Sequence, residues 1–341
     1  MRSPIRLWCI HRGHRVSEPI CQKCKRFDYC QERQEANVLQ ENEREGARRI
    51  SMAEYLADPC PTPSLSRTGI KTLINETPAK AWYQNTRLNP NYVPDISRKY
   101  DMGSICHSLF LEGSDIAEVI VADDWRKNAT KEAANAARAK GKIPLLEKQY
   151  SQAIKIVASA QRHLAESELG VTDLQKEGDS ELSYFWQENG IWLRIRPDWI
   201  SKDRWIIIDP KFTSLSASPS SFDRLVLSMG YDIQSSLYAR GIHHIEKTEP
   251  KFIFFVCEVE EPYLCSLISL DPQYLDMADR KVEMGIGLWK NHLESNEWPG
   301  YSSRIHYIEP KPWVMAQWEE RQFADGLAET GTDPTEKWSD K

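Results

Sequence analysis

Apolar and polar positions alternate most clearly in the middle of the chain, over residues 191–201 and 204–213. A two-residue period places successive side chains on opposite faces of an extended strand. The polar quartet Ser201-Lys202-Asp203-Arg204 between the runs reads as a hairpin turn. A shorter strand over 182–187, opened by Glu181, precedes the turn pair Asn189-Gly190. Past the hairpin, residues 216–221 form a polar link, and a helix starting at Pro219 or Phe222 runs to about Gly241. Two further strands, 251–259 and 263–270, turn at Glu260-Glu261-Pro262. A helix from Pro272 to about Ser295 then presents Met277, Val282, Ile286 and Trp289 inward. Upstream, Ser66 caps a helix reaching Asn75, and Thr77-Pro78 starts another with proline in its first turn. An apolar helical run (Ile105, Leu109, Phe110, Leu111) surrounds His107, and 123–170 is helical in pattern, with helices over 131–140 and 145–169.

On the hairpin, Trp192, Arg194, Arg196 and Asp198 share one face, as do Trp205, Ile207, Asp209 and Lys211. Closure symmetric about Asp203 and Arg204 sets Asp198 opposite Asp209. Like charges so placed destabilise a sheet. A divalent cation between them resolves the conflict, because two carboxylates make a hard oxygen site for Mg²⁺ or Mn²⁺. Lys211 then leans toward whatever the cation holds. The bland alternative is a solvated surface hairpin. The run Trp205-Ile206-Ile207-Ile208-Asp209-Pro210-Lys211-Phe212 is too apolar for that. Pro210 is the anomaly, because proline gives up a ladder donor.

Arg196-Pro197-Asp198, Ile208-Asp209-Pro210-Lys211 and Gln234-x-x-x-Tyr238, in that order, resemble the PD-(D/E)XK nuclease superfamily, and most of all its RecE-type exodeoxyribonuclease VIII group from phage and prophage recombination. Residues 65–298 carry the resemblance. It implies an α/β fold: a restriction-endonuclease-like core with a central mixed β-sheet of four or five strands flanked by helices. It also implies that His107 joins Asp198 and Asp209 as a metal ligand, that Lys211 activates water, and that Gln234 and Tyr238, one helical turn apart, steady the substrate. Tyr231 is a further candidate on that face. A lone histidine in an apolar run is more often a core residue; the order of the downstream motifs is what raises His107 above that.

Composition adds an N-terminal feature. Cys9, Cys21, Cys24 and Cys30 fall within the first 33 residues. Cys21-x-x-Cys24 has metal-knuckle spacing, so a structural Zn²⁺ held by the four is expected, with His11 and His14 in reserve. Free thiols, a disulfide pair or an iron–sulfur cluster are the alternatives. The expected organisation is a Cys-rich module over 1–33, a polar helical linker over 34–63 ending in the proline-rich stretch 58–63, a nuclease domain over 64–312, and an acidic tail over 313–341 that is disordered beyond about Gly326. The net charge of −6 is awkward for a DNA enzyme, but affinity depends on local basic surface. No apolar run approaches the ~20 residues of a membrane span, and no signal peptide opens the chain, so a cytoplasmic protein with reduced thiols is expected.

The expected activity is metal-dependent hydrolysis of DNA phosphodiesters. The resemblance implies processive 5′→3′ digestion of linear double-stranded DNA, 3′ single strands for an annealing recombinase, and a ring-shaped homo-oligomer around the duplex. The rivals are a structure-specific endonuclease or repair nuclease on the same core, and a non-catalytic DNA-binding or assembly protein.

Overall fold

The structure is a computed structural model. It describes residues 44–93, 102–113 and 116–324, with the backbone of two N-terminal strands, β1 (Arg6–Cys9) and β2 (His14–Ser17), paired antiparallel. Cys21, Cys24 and Cys30, and the expected disordered end of the chain, lie outside the described residues, as does the side chain of Cys9.

A mixed sheet of five strands forms the centre, consistent with the α/β class. Its order is β13 (Cys265–Ile268), β12 (Lys251–Glu258), β11 (Ile206–Thr213), β10 (Trp199–Ser201) and β7 (Gly178–Ser180). β11 and β12 run parallel; the other pairs are antiparallel. The two-residue period separates two cores. Ile207, Phe252, Phe254 and Val256 face one, while Ile208, Phe255 and Cys257 face the other. Three helices serve the site. α4 (Met102–Glu112) covers the second core with Ile105, Cys106, Leu109 and Phe110. α9 (Tyr231–Glu246) and α10 (Pro272–Ser295) cover the first with Ile233, Leu237, Val282 and Trp289.

A second sheet, in the order β3 (Gly46–Arg48), β8 (Ser183–Glu188), β9 (Ile191–Ile195) and β4 (Leu65–Ser66), packs on the same α9 through Tyr184, Trp186, Leu193 and Ile195. The β8–β9 turn is the expected Asn189-Gly190, both residues with positive φ (52° and 80°), as a tight hairpin of natural twist requires.

Several expectations are corrected. The run 191–201 is not one strand. It breaks over Arg196-Pro197-Asp198, so β9 and β10 belong to different sheets. Proline cannot donate to a ladder and disfavours helical φ/ψ in the residue before it, which suits a crossing between sheets. The single helix expected to end near Gly241 is two, α8 (Pro219–Met229) and α9, parted at Gly230, whose φ of 69° is the left-handed conformation that ends a helix. Residues 143–146 form a short strand, Ile143–Leu146, parallel to Ala117–Ile120, rather than helix. Met277 is exposed; Ala278 takes the inward position. The expected linker contributes β3 and a helix over Met52–Leu56 capped by Ser51. Residues 301–324 form a separate unit, whose helix Pro312–Ala324 stands where the acidic tail was expected to begin. Among the described residues, no helix is long and apolar enough to cross a membrane.

Candidate active site

The hairpin closes in the register expected from its sequence. Trp199 pairs with Ile208 and Ile200 with Ile207, and one step further along this register Asp198 stands opposite Asp209. β10 begins only at Trp199, so the Asp198 backbone has left the β10–β11 ladder, although its carbonyl still accepts from the Glu181 N–H at 3.0 Å, and the charge of its carboxylate acts on that of Asp209. The missing neighbour also explains Pro210. From Asp209 onward β11 has a ladder partner on the β12 side alone, where Pro210 lies opposite Phe255. A residue without an N–H there costs the β10–β11 ladder nothing.

His107 reaches the same place from α4. Its Nε2 lies 3.2 Å from Oδ2 of Asp198, and both side chains are partly open to solvent, at 30% and 25%. Asp209 is buried, at 2%. Its Oδ1 accepts a 2.6 Å hydrogen bond from Nε2 of Gln234, and its Oδ2 is paired with the Lys211 ammonium, without further hydrogen bonding. Two helices packed on opposite faces of one sheet, α4 and α9, thus bring His107 and Gln234 to a carboxylate pair held in the strands between them.

The electrostatics reflect two acids in one place. Burial pushes the Asp209 carboxyl up to about 6, the Asp198 charge adds to the rise, and Lys211 opposes it. Asp198 is also raised by burial, but its hydrogen bond and ion pair with His107 outweigh that and hold it below the usual carboxylate range. Burial lowers His107, yet Asp198 draws it above the ordinary imidazole value. Lys211 is likewise lowered by burial, and the two aspartates more than restore it. One ammonium and an imidazole drawn toward its protonated form face two neighbouring carboxylates, one buried and one partly open to solvent. Oxygen and imidazole donors of this kind suit a hard divalent cation. Among the described residues, no three His, Cys, Asp or Glu side chains already stand as a metal cage. The ion pair of Lys211 with Asp209 and the contact of His107 with Asp198 take up the donor atoms instead.

Two further site residues follow from the tertiary structure. The Lys211 ammonium lies 5.6 Å from the centroid of the Tyr231 ring, and the Arg67 guanidinium lies 5.9 Å from the same ring. Tyr231 was a candidate from its helical spacing. Arg67, anchored by a 2.7 Å bond to the Met229 carbonyl, was not; no local pattern links it to a residue 164 positions away. Tyr238 packs edge-on against Phe252 at 5.8 Å. Together with Gln234, Arg67, Ser66, Gln84 and Asn85 it lines a cavity of about 260 Å³. Its hydroxyl is held well above the ordinary tyrosine value, mainly by burial.

Arg194 and Arg196, expected on the face of Asp198, serve a different end. Arg194 pairs with the fully buried Asp58 at 2.7 Å and donates to Ser64 Oγ at 2.6 Å. Arg196 pairs with Glu181 at 2.8 Å and donates to the Ile50 carbonyl at 2.8 Å. Both lie over the Tyr55 ring. They fasten residues 50–64 to the second sheet, and Glu181 serves as the partner of Arg196.

Comparison with known proteins agrees with this architecture. A chain crystallised from Eubacterium rectale, described as "Putative exonuclease", superposes with a TM-score of 0.51 at 18% identity, over 80% of this chain and 98% of that one. At that identity the likeness is one of fold. No curated protein matches the sequence. The family model for the PDDEXK-like domain of unknown function (DUF3799) matches residues 66–311, a span that holds His107, both aspartates, Lys211, Gln234 and Tyr238. The chain belongs to this PDDEXK-like family.

Proposed function

We propose that the protein is a divalent-metal-dependent deoxyribonuclease, acting on linear double-stranded DNA as a 5′→3′ exonuclease that leaves 3′ single strands for recombination. The observation that carries the reading is the convergence of His107, Asp198, Asp209 and Lys211, which are scattered in the sequence, on one partly buried point. The "Putative exonuclease" description of the structural relative points the same way.

His107, Asp198 and Asp209 are the residues to hold Mg²⁺ or Mn²⁺. Such an ion, when bound, polarises a phosphoryl oxygen and makes bound water more acidic. The chain's own groups do the rest. The Lys211 ammonium, on the same strand face as Asp209, offsets charge that develops on the phosphate and orients the attacking water. Gln234 fixes the orientation of the Asp209 carboxylate. Arg67, Tyr231 and Tyr238 give the substrate strand a cationic and aromatic wall beside the cavity. A ring-shaped homo-oligomer and an annealing recombinase as partner belong to the same reading, as does a zinc-bound N-terminal module.

The test is digestion of end-labelled linear duplex and covalently closed circular duplex, with Mg²⁺ or with a chelator. Loss of the linear substrate alone, only with Mg²⁺, and by release of nucleotides from 5′ ends, is the expected result. Cleavage of the circle would favour the endonuclease. DNA binding without any product would favour the non-catalytic alternative.

A further inference from the structure

Opposite the catalytic carboxylates, on the other face of the central sheet, β12 and β13 bring two cysteines together. Cys257 stands directly across from Cys265 in the antiparallel ladder. The next pair along, Glu258 and Leu264, is hydrogen-bonded, with the Glu258 N–H donating to the Leu264 carbonyl at 2.9 Å. Hydrogen-bonded and non-hydrogen-bonded pairs alternate in such a ladder, so Cys257 and Cys265 form a non-hydrogen-bonded pair. In these pairs the Cα atoms approach to about 4.5 Å and the side chains are closest, within the ~4.4–6.8 Å that a disulfide spans. Each S–H donates to a backbone carbonyl of its own strand segment, Cys257 to Phe255 at 3.8 Å and Cys265 to Tyr263 at 3.6 Å, so neither sulfur is tied up by another side chain. Both are reduced.

The two differ in setting. Cys257 is fully buried, at 1% exposure, in the core beneath α4. Cys265 is half-buried on the edge strand. The neighbouring Cys257 thiol holds that of Cys265 below its ordinary value, whereas burial raises that of Cys257. Cys265 is therefore the thiol that meets an external reagent, with Cys257 placed to resolve the product. The nuclease chemistry uses neither residue.

We propose that Cys257 and Cys265 are a redox modification site: a dithiol that a low-molecular-weight disulfide converts to a cross-strand disulfide, locking edge strand β13 onto β12. The Cys265 thiolate attacks one sulfur of oxidised glutathione and expels one glutathione thiolate. Cys257 then gives up its proton and attacks the Cys265 sulfur of the mixed disulfide, expelling the second. Both electrons lost by the protein thiols pass to glutathione, leaving one disulfide in the protein and two reduced glutathiones.

The test uses the full chain equilibrated in glutathione buffers of graded redox ratio, denatured in acid, alkylated and mapped by mass spectrometry. The expected product is a peptide pair joined through Cys257 and Cys265, lacking two hydrogens and released by dithiothreitol. The melting temperature should rise on oxidation of the wild type and of Cys60→Ser, but not of Cys265→Ser, which keeps the buried thiol. Three results would overturn the proposal: both thiols alkylated at every ratio, glutathione retained on Cys265 without closure, or Cys257 joined instead to Cys106, the buried thiol near it on α4.

Discussion

Gln234 donates a 2.6 Å hydrogen bond to the Asp209 carboxylate, joining helix α9 to the strand that carries the candidate catalytic groups. The bond occupies one carboxylate oxygen and leaves the other to Lys211. Groups that orient a metal ligand from behind typically contribute 10–100-fold in affinity or activity. Gln234→Leu should therefore raise the Mg²⁺ concentration for half-maximal cleavage by about tenfold or more, with an unchanged circular dichroism spectrum. A Mg²⁺ titration of the variant's cleavage rate checks this.

Asp209→Asn should abolish cleavage and yet stabilise the metal-free protein. The wild-type carboxyl is raised from 3.8 to about 6, so the folded state holds its proton more tightly than the unfolded state. Stability then falls as pH rises from about 4 to about 6 and stays lower above that. Each pKa unit corresponds to about 1.4 kcal/mol. At pH 7 without metal, the asparagine variant should melt several degrees higher, and the gap should close toward pH 4. Mg²⁺ should raise the wild-type melting temperature and leave that of the variant unmoved. Thermal melts across pH, with and without Mg²⁺, decide both points.

Asp58→Ala removes the partner of Arg194 and leaves a guanidinium stranded in the interior, with the Asp58 side chain 0% and the Arg194 side chain 10% exposed. Breaking a buried pair from one side typically costs about 3–5 kcal/mol. Urea denaturation should show a loss of that order. Asp58→Ala with Arg194→Met together should lose less than the single change, because no charge is then left unpaired.

Gly178→Ala tests how the tryptophan beside Asp198 is held. A methyl at Gly178 would lie 2.1 Å from Cε2 of Trp199, whose indole donates to the Leu174 carbonyl at 2.7 Å. Overpacking of this kind costs about 1–3 kcal/mol. Because Trp199 follows Asp198 directly, the variant should lose cleavage rate as well as stability. Gly190→Ala, in a turn with open space around it, should cost stability through its φ of 80° and leave the cleavage rate of the folded protein alone.

Much of the fold was legible because it follows from local patterns. The helices capped by Ser66 and Thr77 form as expected, with each hydroxyl accepting from a first-turn N–H. The Pro272–Ser295 helix matches its expected ends. The hairpin register was fixed by alternation together with a tight turn at Arg204, whose φ is 66°. Where reading failed, two local signals competed. Periodicity ran straight through Pro197 and Gly230, while backbone sterics stopped the strand at one and the helix at the other.

Taken alone, the sequence determined which residues share a face wherever an element runs unbroken, since that depends on the period of the backbone, and it failed where the strand breaks at Pro197. The period sufficed to set Asp198 against Asp209 and to place Gln234 with Tyr238. Only the tertiary structure decided which elements meet. It gave Arg194 to Asp58 and Arg196 to Glu181, brought Arg67 to Tyr231 beside Lys211, and set Cys257 across from Cys265. Such pairs are selected by burial and charge balance between segments far apart in the chain, and a charge acquires its role from the partner that the folded interior sets beside it.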